Sequence, residues 1–487
     1  MGGNNPFMYD LIVIGDDLSS HVAAAYAGHK GMSTLLIAES GLGGLKLIGD
    51  FVFNIDPSPV SGFGPDQPCL SVLSEMDIPL PENHEAPVNP AFQVILPEHR
   101  IDFYNDPDLL MAELTREFPA LAREIREYYV AALDASFLFQ NWLKEHPRLQ
   151  PQSLKEFISY LKIFPLIFRY KFGAAKFDKT LSRQPTLEKV WEAQQTLLGL
   201  NNDDLFSFGS AFQYCAPLRG ISCWPQGKQY LFNELVKKLE SSNGVYLNSQ
   251  TITSISPDRG IELELKSQDQ SIAKVSAHQL IISTKSDALS LLAGKHKYIN
   301  FSDRIRPAKV AYYPFTLFMG ISTRCLPQEI ARHVAVVSDP EKGIYDRNLI
   351  LLETGLPDGG EISSGGKTSF SATVYLPDQE QYWTIDSLKD EANSILVRLE
   401  AFLPFLKNNI VVDNINESID LSIACRKVTS PKYTVRNALF TSFAAKSHKT
   451  RFDNVILTGA SLLTDAGFDA EVMSGKIAAL HVLAKRN

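Results

Sequence analysis

The sequence has few of the residues that build metal centres, disulfides or hydrolytic triads. Its five cysteines are odd in number and widely separated, without a C-x-x-C pair, which favours a reducing compartment and argues against a zinc site. None of the ten histidines forms an H-x-x-x-H pair, and no G-x-S-x-G turn occurs. Metal-dependent hydrolysis and serine-nucleophile chemistry are therefore not indicated.

A basic excess and long apolar runs are also missing. The 47 Lys and Arg residues are outnumbered by 55 Asp and Glu residues, and the net charge of −8 does not indicate nucleic-acid binding. No window reaches about 18 uninterrupted apolar residues, and the first residues lack the basic and apolar regions of a secretory signal. We therefore expect a cytoplasmic protein. Its 487 residues, 45% of them hydrophobic, fit one large or two to three interleaved domains.

The stretch Tyr9–Gly44 has the pattern of a βαβ unit that binds a dinucleotide. The β-branched run at 11–14 predicts a strand buried on both faces of a parallel sheet, and Gly15 ends it. Small residues then indicate a helix packed closely on the sheet, before a second strand at 34–38. Glu39 follows that strand, where an acidic residue can accept hydrogen bonds from a ribose.

The turn after the first strand departs from the pattern G-x-G-x-x-G. Its first glycine is Gly15, but Asp17 stands at the second glycine position, and Ser20, preceded by Ser19, stands at the third. Asp17 places a carboxylate where a diphosphate would lie, beside that of Asp16. At about 4 Å and an effective dielectric constant of about 20, each carboxylate–phosphate repulsion would be about 4 kcal/mol. Two interpretations stay open: the aspartates cap the helix N-terminus, or they stand near a ligand.

Three further blocks extend this pattern. Each combines a β-rich run with a glycine turn, and the last two add a helix. The blocks are 43–54, 220–255 and 454–480.

In this order the blocks resemble the flavoprotein superfamily that contains phytoene desaturases, monoamine oxidases and the Rab GDP-dissociation inhibitors. The residues that carry the resemblance are Gly15, Glu39, Gly43-Gly44, the strand GDFVFN at 49–54, Pro225-x-Gly227 with Lys228 for a second glycine, and Ser474-Gly475. The resemblance implies an α/β fold, with an FAD/NAD(P)-binding Rossmann-like domain and an inserted α+β substrate domain. It also implies FAD as cofactor, held by Gly15, Ser19, Ser20, Glu39, Gly43, Gly44, Ile252, Gly459 and Gly467.

Departures from the superfamily fall where its members hold their flavin. Asp17 replaces a glycine, and Ala460 replaces an acidic residue that helps to hold the ribityl-pyrophosphate end. Asp469 and Glu471 enter the turn whose amides would face the flavin ring, where they would oppose the negative charge of reduced flavin. The alternative is that these two residues cap the last helix. Catalytic side chains are not assigned, because hydride transfer is cofactor chemistry.

The resemblance also divides the chain. The dinucleotide-binding domain is expected over 1–75, 220–300 and 415–487, and the substrate or lid domain over 76–219 and 301–414. The first part of the substrate domain is predicted to be mostly helical, and the second to contain strands followed by a helix at 386–402. A glycine-rich piece at 358–369 is predicted to be a mobile loop.

The segment 154–177, LKEFISYLKIFPLIFRYKFGAAKF, is aromatic and basic in an otherwise acidic protein. It contains five Lys or Arg residues and a single acidic residue, Glu156. One interpretation is that it lies at a lipid surface or flanks the mouth of a lipid tunnel. The other is a core helix whose lysines extend to solvent.

Two functions follow from the resemblance. The first is an FAD-dependent oxidoreductase, similar to phytoene desaturases, that acts on an apolar substrate, and the retained Gly15, Glu39 and Gly43-Gly44 favour it. The second is a non-catalytic binding or escort protein on the same fold that has lost the flavin, and the departures favour it. Because most proteins of this fold hold flavin, the first is preferred. We expect the partners to be an apolar small molecule or lipid, a membrane surface through 154–177, or a protein, with no nucleic acid.

Overall fold

The computed structural model describes residues 8–40, 43–64, 67–81, 90–145, 184–199, 208–222, 224, 226–258, 260–267, 270–292, 309–355, 366–427, 429, 431–434, 447–462 and 467–486, with single positions between 154 and 177. None of the helices in these ranges is both long enough and apolar enough to cross a membrane. Nor do the described residues bring three His, Cys, Asp or Glu side chains together as a metal site needs.

The described chain forms two large β-sheets with helices packed on both. In chain order the strands are β1 (Tyr9–Ile14), β2 (Thr34–Ile37), β3 (Leu45–Ile48), β4 (Phe51–Asn54), β5 (Val60–Ser61), β6 (Phe92–Leu96), β7 (His99–Phe103), β8 (Ile221–Ser222), β9 (Val245–Leu247), β10 (Thr251–Ser256), β11 (Ile261–Lys266), β12 (Ile272–Ser283), β13 (Lys309–Ser322), β14 (His333–Val337), β15 (Leu349–Thr354), β16 (Lys367–Pro377), β17 (Ile410–Asp413), β18 (Lys432–Thr434) and β19 (Val455–Thr458). The α-helices are α1 (Leu18–His29), α2 (Pro68–Ser74), α3 (Pro107–Glu117), α4 (Ala122–Glu145), α5 (Pro185–Leu197), α6 (Phe208–Tyr214), α7 (Gln229–Ser241), α8 (Ile385–Glu400), α9 (Ile415–Ala424) and α10 (Gly467–Leu483).

The first sheet has the order β10-β11-β12-β1-β2-β9, and β19 also pairs with β12. The strands β9, β2, β1, β12 and β19 run parallel, whereas β10 and β11 pair antiparallel beside them. Strand β1 is apolar along its last four residues, and all four are fully buried, as a strand covered on both faces should be. Because parallel strands end at the same edge, Gly15, Ala38, Thr284 and Gly459 follow their strands onto one rim.

Helices α1 and α10 pack tightly on this sheet because their facing residues are small. A Cβ atom at Gly475 of α10 would lie 2.4 Å from the carbonyl oxygen of Ser19, so the backbones of the two helices approach closely there. Ser19 and Ser474 are fully buried. The small residues that predicted a closely packed helix after β1 thus serve the contact between α1 and α10.

The second sheet has the order β17-β13-β16-β15-β14-β6-β7, and β18 also pairs with β13. Helices α8 and α9 contribute buried residues to the apolar core on one face, including Leu388, Ile395 and Ile419. The other face packs against a core with residues of α3, α4, α5, α6 and α10. The predicted strands and the helix near 386–402 of this region are confirmed.

The structure differs from the sequence-based expectations at two places in this sheet. The hairpin of β6 and β7 lies within a region expected to be mostly helical, and its strands pair in register from Phe92 with Phe103 to Leu96 with His99. Residues 415–434 were expected to begin the dinucleotide-binding domain, but α9 packs on the second sheet and β18 pairs with β13. Most of the predicted mobile loop at 358–369 falls outside the described residues, and its last three residues begin β16.

Candidate functional site

The rim of the first sheet begins with the turn after β1. Gly15 has a φ of 150°, and a Cβ atom there would lie 2.3 Å from Ser20 Oγ and 2.6 Å from Ser283 Cβ. Glycine is therefore required where β1, α1 and the end of β12 meet. This part of the dinucleotide-binding pattern is preserved.

Asp17 fills the position at which a diphosphate would meet the N-terminus of α1. It is the N-cap residue, it is 2% exposed, and its Oδ1 accepts hydrogen bonds from Ser20 N at 3.1 Å and Ser20 Oγ at 2.6 Å. Its Oδ2 accepts a hydrogen bond of 2.7 Å from Ser283 Oγ, at the end of β12. The capping interpretation is confirmed for Asp17. Its carboxylate takes donors at the α1 N-terminus that would otherwise be available to a bound anion.

Asp16 points the other way and does not cap α1. Its carboxylate accepts from the backbone N–H of Ser40 at 3.0 and 3.2 Å, which ties the turn after β1 to the loop after β2. Burial raises the pKa of Asp16 despite these hydrogen bonds. The capping interpretation is therefore wrong for Asp16.

Glu39 also has a partner within the chain. Its Oε1 accepts a hydrogen bond of 3.2 Å from the backbone N–H of Ala288, in the short 3-10 helix Asp287–Leu291. Burial raises the pKa of Glu39, while its hydrogen bonds with Ser286 and Ala288 act against that shift. One carboxylate thus joins the segments that follow β2 and β12, the two strands on either side of β1.

An open cleft of about 550 Å³ lies beside Glu39. It is lined by Asp16, Glu39, Ser40, Gln250, Thr251, Ile252, Ser283, Lys285, Ser286, Asp287, Ala288, Ser290, Leu291, Ile423 and Ala424. The structure thus brings Glu39 and Ile252 together, and the cleft has the size of a small-molecule site. Its lining has three carboxylates and one lysine, so it favours neutral or cationic groups over phosphates.

The Gly43-Gly44 turn is occupied by a side chain. The backbone N–H of Gly44 donates a hydrogen bond to Gln229 Oε1, and a Cβ atom at Gly43 would lie 2.4 Å from the same oxygen. Gln229 is the first residue of α7, directly after the turn that resembles the family's P-x-G-G. The amide that the resemblance assigns to a cofactor therefore already has an acceptor.

A buried ion pair lies between this rim and the second sheet. Lys228 Nζ is 2.7 Å from Asp56 Oδ2 and 2.7 Å from Ser58 Oγ, and it lies 5.3 Å from the centre of the Phe468 ring. Burial alone would raise the pKa of Asp56, but Lys228 and Ser58 outweigh it and lower that pKa to about 2.

This ion pair predicts a pH-dependent stability. Because the pKa of Asp56 falls from 3.8 to about 2 on folding, its contribution is complete above about pH 4 and is lost as pH falls through about 2. The expected loss is about 2 kcal/mol over that interval. Urea titrations at several pH values will measure it, with Asp56→Asn expected to flatten the dependence. An equally steep dependence in Asp56→Asn would contradict the assignment.

Acidic side chains of α10 enter the same region. Asp469 lies in the first turn of α10, and its Oδ1 accepts a hydrogen bond of 2.9 Å from Cys69 Sγ. A Cβ atom at Gly62, which has a φ of 85°, would lie 1.8 Å from Asp469 Oδ1. Glu471 is 7% exposed and lies 3.6 Å from Lys285 Nζ. Burial raises the pKa of Glu471, against the lowering effect of Lys285 and Lys228. Both carboxylates thus face the interior.

The rest of the terminal block is packed against the chain itself. The backbone N–H of Gly459 donates a hydrogen bond of 3.0 Å to Ser474 Oγ. Ala460 begins a short 3-10 helix and supplies no acidic group. Gly467 begins α10, and its Cα lies 3.7 Å from the position of a Cβ at Gly199.

A second buried lysine lies deeper between the sheets. Lys432 Nζ donates a hydrogen bond of 2.9 Å to the carbonyl oxygen of Thr196 and lies 5.0 Å from the centre of the Tyr375 ring. Burial lowers the pKa of Lys432 to about 7, with Asp56 acting in the opposite direction. The neighbouring cavity, lined in part by Asp56, Tyr375 and Thr429, measures about 20 Å³. That volume holds about one water molecule, so the described residues leave no space for an organic substrate at this point.

The residues of this rim fit one end of FAD and not the other. The adenosine end fits, because Glu39 and Ile252 line the open cleft. The diphosphate end does not fit, because Asp17 occupies the N-terminus of α1 and Gln229 occupies the amide of Gly44. No reaction step through a flavin is derived for this arrangement.

Three residues of this region, Asp56, Gln229 and Lys285, are not predicted by any sequence pattern. Lys228 does give an indication, because it replaces a glycine of the P-x-G-G turn. A lysine at a buried position needs a carboxylate partner, so its presence indicates that an acidic residue lies nearby. The identity of that partner depends on the path of the loop after β4, which no local pattern encodes.

No protein-family model matches this sequence, and no curated protein matches it. Solved structures do match over nearly the whole chain. A cyclohexylamine oxidase from Brevibacterium oxydans has a TM-score of 0.54 at 12% identity, covering 98% of this chain and 99% of that chain. An oxidoreductase from Methanosarcina mazei has a TM-score of 0.53 at 12% identity, covering 98% and 99%. A Rab GDI from Plasmodium falciparum has a TM-score of 0.53 at 10% identity, covering 98% of each chain.

These likenesses establish the fold. The predicted α/β fold class and the resemblance to the fold that amine oxidases and Rab GDI share are confirmed. At 10–12% identity they do not assign a substrate or an activity.

Proposed function

We propose that this chain is a non-catalytic binding or escort protein on the fold shared by amine oxidases and Rab GDI, in which the chain's own side chains close the flavin diphosphate site. One observation carries the proposal: the buried carboxylate of Asp17 caps α1 and also accepts a hydrogen bond from Ser283. An FAD diphosphate would have to displace this carboxylate or lie against it.

The electrostatic cost of that approach is large compared with what the helix offers. A phosphate at about 4 Å from one carboxylate is opposed by about 4 kcal/mol at an effective dielectric constant of about 20. The N-terminus of a helix stabilises a nearby negative charge by only about 0.3–1 kcal/mol at exposed sites. The balance therefore disfavours a bound diphosphate.

The partners proposed for such a protein are an apolar small molecule, a lipid or another protein. The match to Rab GDI supports the proposal, because that protein has the same fold and is described as a GDI and not as an oxidase. The protein would act in the cytoplasm, at a membrane surface where its ligand requires one.

A second candidate function is an FAD-dependent oxidoreductase, similar to phytoene desaturases, acting on an apolar substrate. The specific observation in its favour is the open cleft of about 550 Å³ in which Glu39 and Ile252 lie together. The cofactor would then be held by Gly15, Ser19, Ser20, Glu39, Gly43, Gly44, Ile252, Gly459 and Gly467. Binding would require Asp17 to leave the N-terminus of α1.

Titration of ADP, which carries the adenosine and diphosphate without the flavin, tests the first proposal. We expect calorimetry to show saturable ADP binding by Asp17→Gly, at least about tenfold tighter than the weakest binding the measurement detects, and no saturable binding by the wild-type protein, because the variant removes the buried charge. Circular dichroism of the variant checks that it folds. Micromolar ADP binding by the wild-type protein, no weaker than by Asp17→Gly, would contradict the proposal.

A further inference from the structure

The segment 154–177 exposes a series of apolar side chains. Its members are Leu154 (76% exposed), Ile158 (54%), Leu161 (44%), Pro165, Phe168 (43%) and Phe172 (78%), all of them helical. Leu154, Ile158 and Leu161 have the spacing of one helical face, and so do Pro165, Phe168 and Phe172, with a turn at Lys162 between the two helical stretches. Below, these six residues are called the apolar stripe. Exposed large apolar residues in such a row mark an interaction surface.

The opposite face of the same segment is anchored in the protein. Tyr170 and Phe177 are buried, and Tyr170 lies with its hydroxyl 3.4 Å from that of Tyr128 on α4. The Phe177 ring centre lies 5.6 Å from that of Tyr128. The core-helix interpretation therefore holds for Tyr170 and Phe177, whereas the members of the apolar stripe point away from the core.

A row of basic residues runs beside the apolar stripe. Lys155, Lys162, Arg169 and Lys176 recur every seventh residue, and three of them directly follow a stripe residue. Lys162 and Arg169 are exposed, while Lys155 and Lys176 lie outside the described residues. The two described members, Lys162 and Arg169, place exposed positive charge directly beside Leu161 and Phe168 of the stripe.

We propose that the apolar stripe and its basic row bind this protein to the surface of a membrane rich in anionic lipid. An apolar face with Phe and Leu, edged by Lys and Arg, is what an amphipathic helix needs to lie in the interface between headgroups and acyl chains. Anionic lipid headgroups complement the basic row, although the chain as a whole carries a net charge of −8.

The charge of the segment favours an anionic membrane over a second copy of the chain as its partner. Two copies that paired through the apolar stripe would bring two basic rows close together, and like charges at that spacing repel. In each copy the segment contains only one acidic residue, Glu156, against five Lys or Arg residues. An anionic bilayer meets the same stripe with the opposite charge. This inference goes beyond the proposed function and does not depend on whether the protein binds FAD.

Vesicle flotation with the full-length protein tests the inference. We expect the wild-type protein to float with vesicles of phosphatidylcholine and phosphatidylserine, about tenfold more than with phosphatidylcholine alone, and to be released by salt. Phe172→Glu should reduce the partition coefficient at least about tenfold, because one large apolar side chain is lost from the interface. Lys162→Glu combined with Arg169→Glu should remove the preference for phosphatidylserine.

Matched controls lie elsewhere on the surface. Phe405 is 69% exposed and Lys274 has an 80% exposed side chain, so Phe405→Glu and Lys274→Glu change the same residue types away from the segment. These variants should float as the wild-type protein does. Absence of flotation of the wild-type protein, or equal flotation of Phe172→Glu, would overturn the inference. So would sedimentation that shows a dimer dissociated by Phe172→Glu without any vesicle binding.

Discussion

Replacing Lys228 by methionine is expected to lower the free energy of unfolding by about 3–5 kcal/mol, because it removes one partner of a buried ion pair. Lys228 is 8% exposed, and its Nζ lies 2.7 Å from Asp56 Oδ2 and 2.7 Å from Ser58 Oγ. Without it, the carboxylate of Asp56 would remain largely buried with its principal counter-charge removed. Equilibrium denaturation in urea measures the loss.

Lys237→Met is the matched control for this prediction. Lys237 lies on α7, nine residues further along, and pairs with Glu234, but its side chain is 69% exposed. An exposed pair three residues apart on a helix contributes only about 0.3–0.5 kcal/mol, so the control should unfold close to the wild-type midpoint. Equal losses in the two variants would show that Lys228 has no special role.

Asp17→Ala is expected to cost about 3 kcal/mol of stability. The substitution removes the N-cap of α1 and leaves Ser20 N, Ser20 Oγ and Ser283 Oγ without their shared acceptor in a buried turn. The same denaturation measurement applies. Asp17→Asn should lower the free energy of unfolding by less. Its amide oxygen can still accept hydrogen bonds from Ser20, and its amide nitrogen can donate one to Ser283.

Another aspartate N-cap provides the comparison for Asp17. Asp106 caps α3 and accepts from the backbone N–H groups of Asp108 and Leu109, but these hydrogen bonds are exposed. Its replacement by alanine should cost only about 1 kcal/mol, the usual value for an N-cap. If Asp17→Ala cost no more than Asp106→Ala, the contacts of Asp17 with the end of β12 would contribute nothing.

The strands and helices that place the site could be predicted because their signals are local. The buried run at 11–14, the small residues after it and the glycine turn require only periodicity and steric size. The helix expected in the block 220–255 is present as α7, and its Leu231, Leu235 and Leu239 are buried. In contrast, β6 and β7 were missed because helical patterns on both sides dominated that region.

The side chains that fill the expected diphosphate site could not be predicted, because their contacts depend on the direction in which each side chain points. Asp16 and Asp17 are neighbours in sequence, yet Asp17 caps α1 while Asp16 reaches the loop after β2. The partners Asp56 and Lys228 are 172 residues apart. Such pairs depend on the paths of loops that are far apart in sequence, and no local pattern specifies them.

The most direct test of a closed diphosphate site is the visible absorption spectrum of the wild-type protein, as purified and again after incubation with excess FAD and gel filtration. We predict a colourless protein that retains no flavin, because the carboxylate of Asp17 occupies the N-terminus of α1. Oxidised-flavin bands that stay with the protein after gel filtration would contradict this account. They would assign the chain to the flavin-dependent oxidoreductases on this fold.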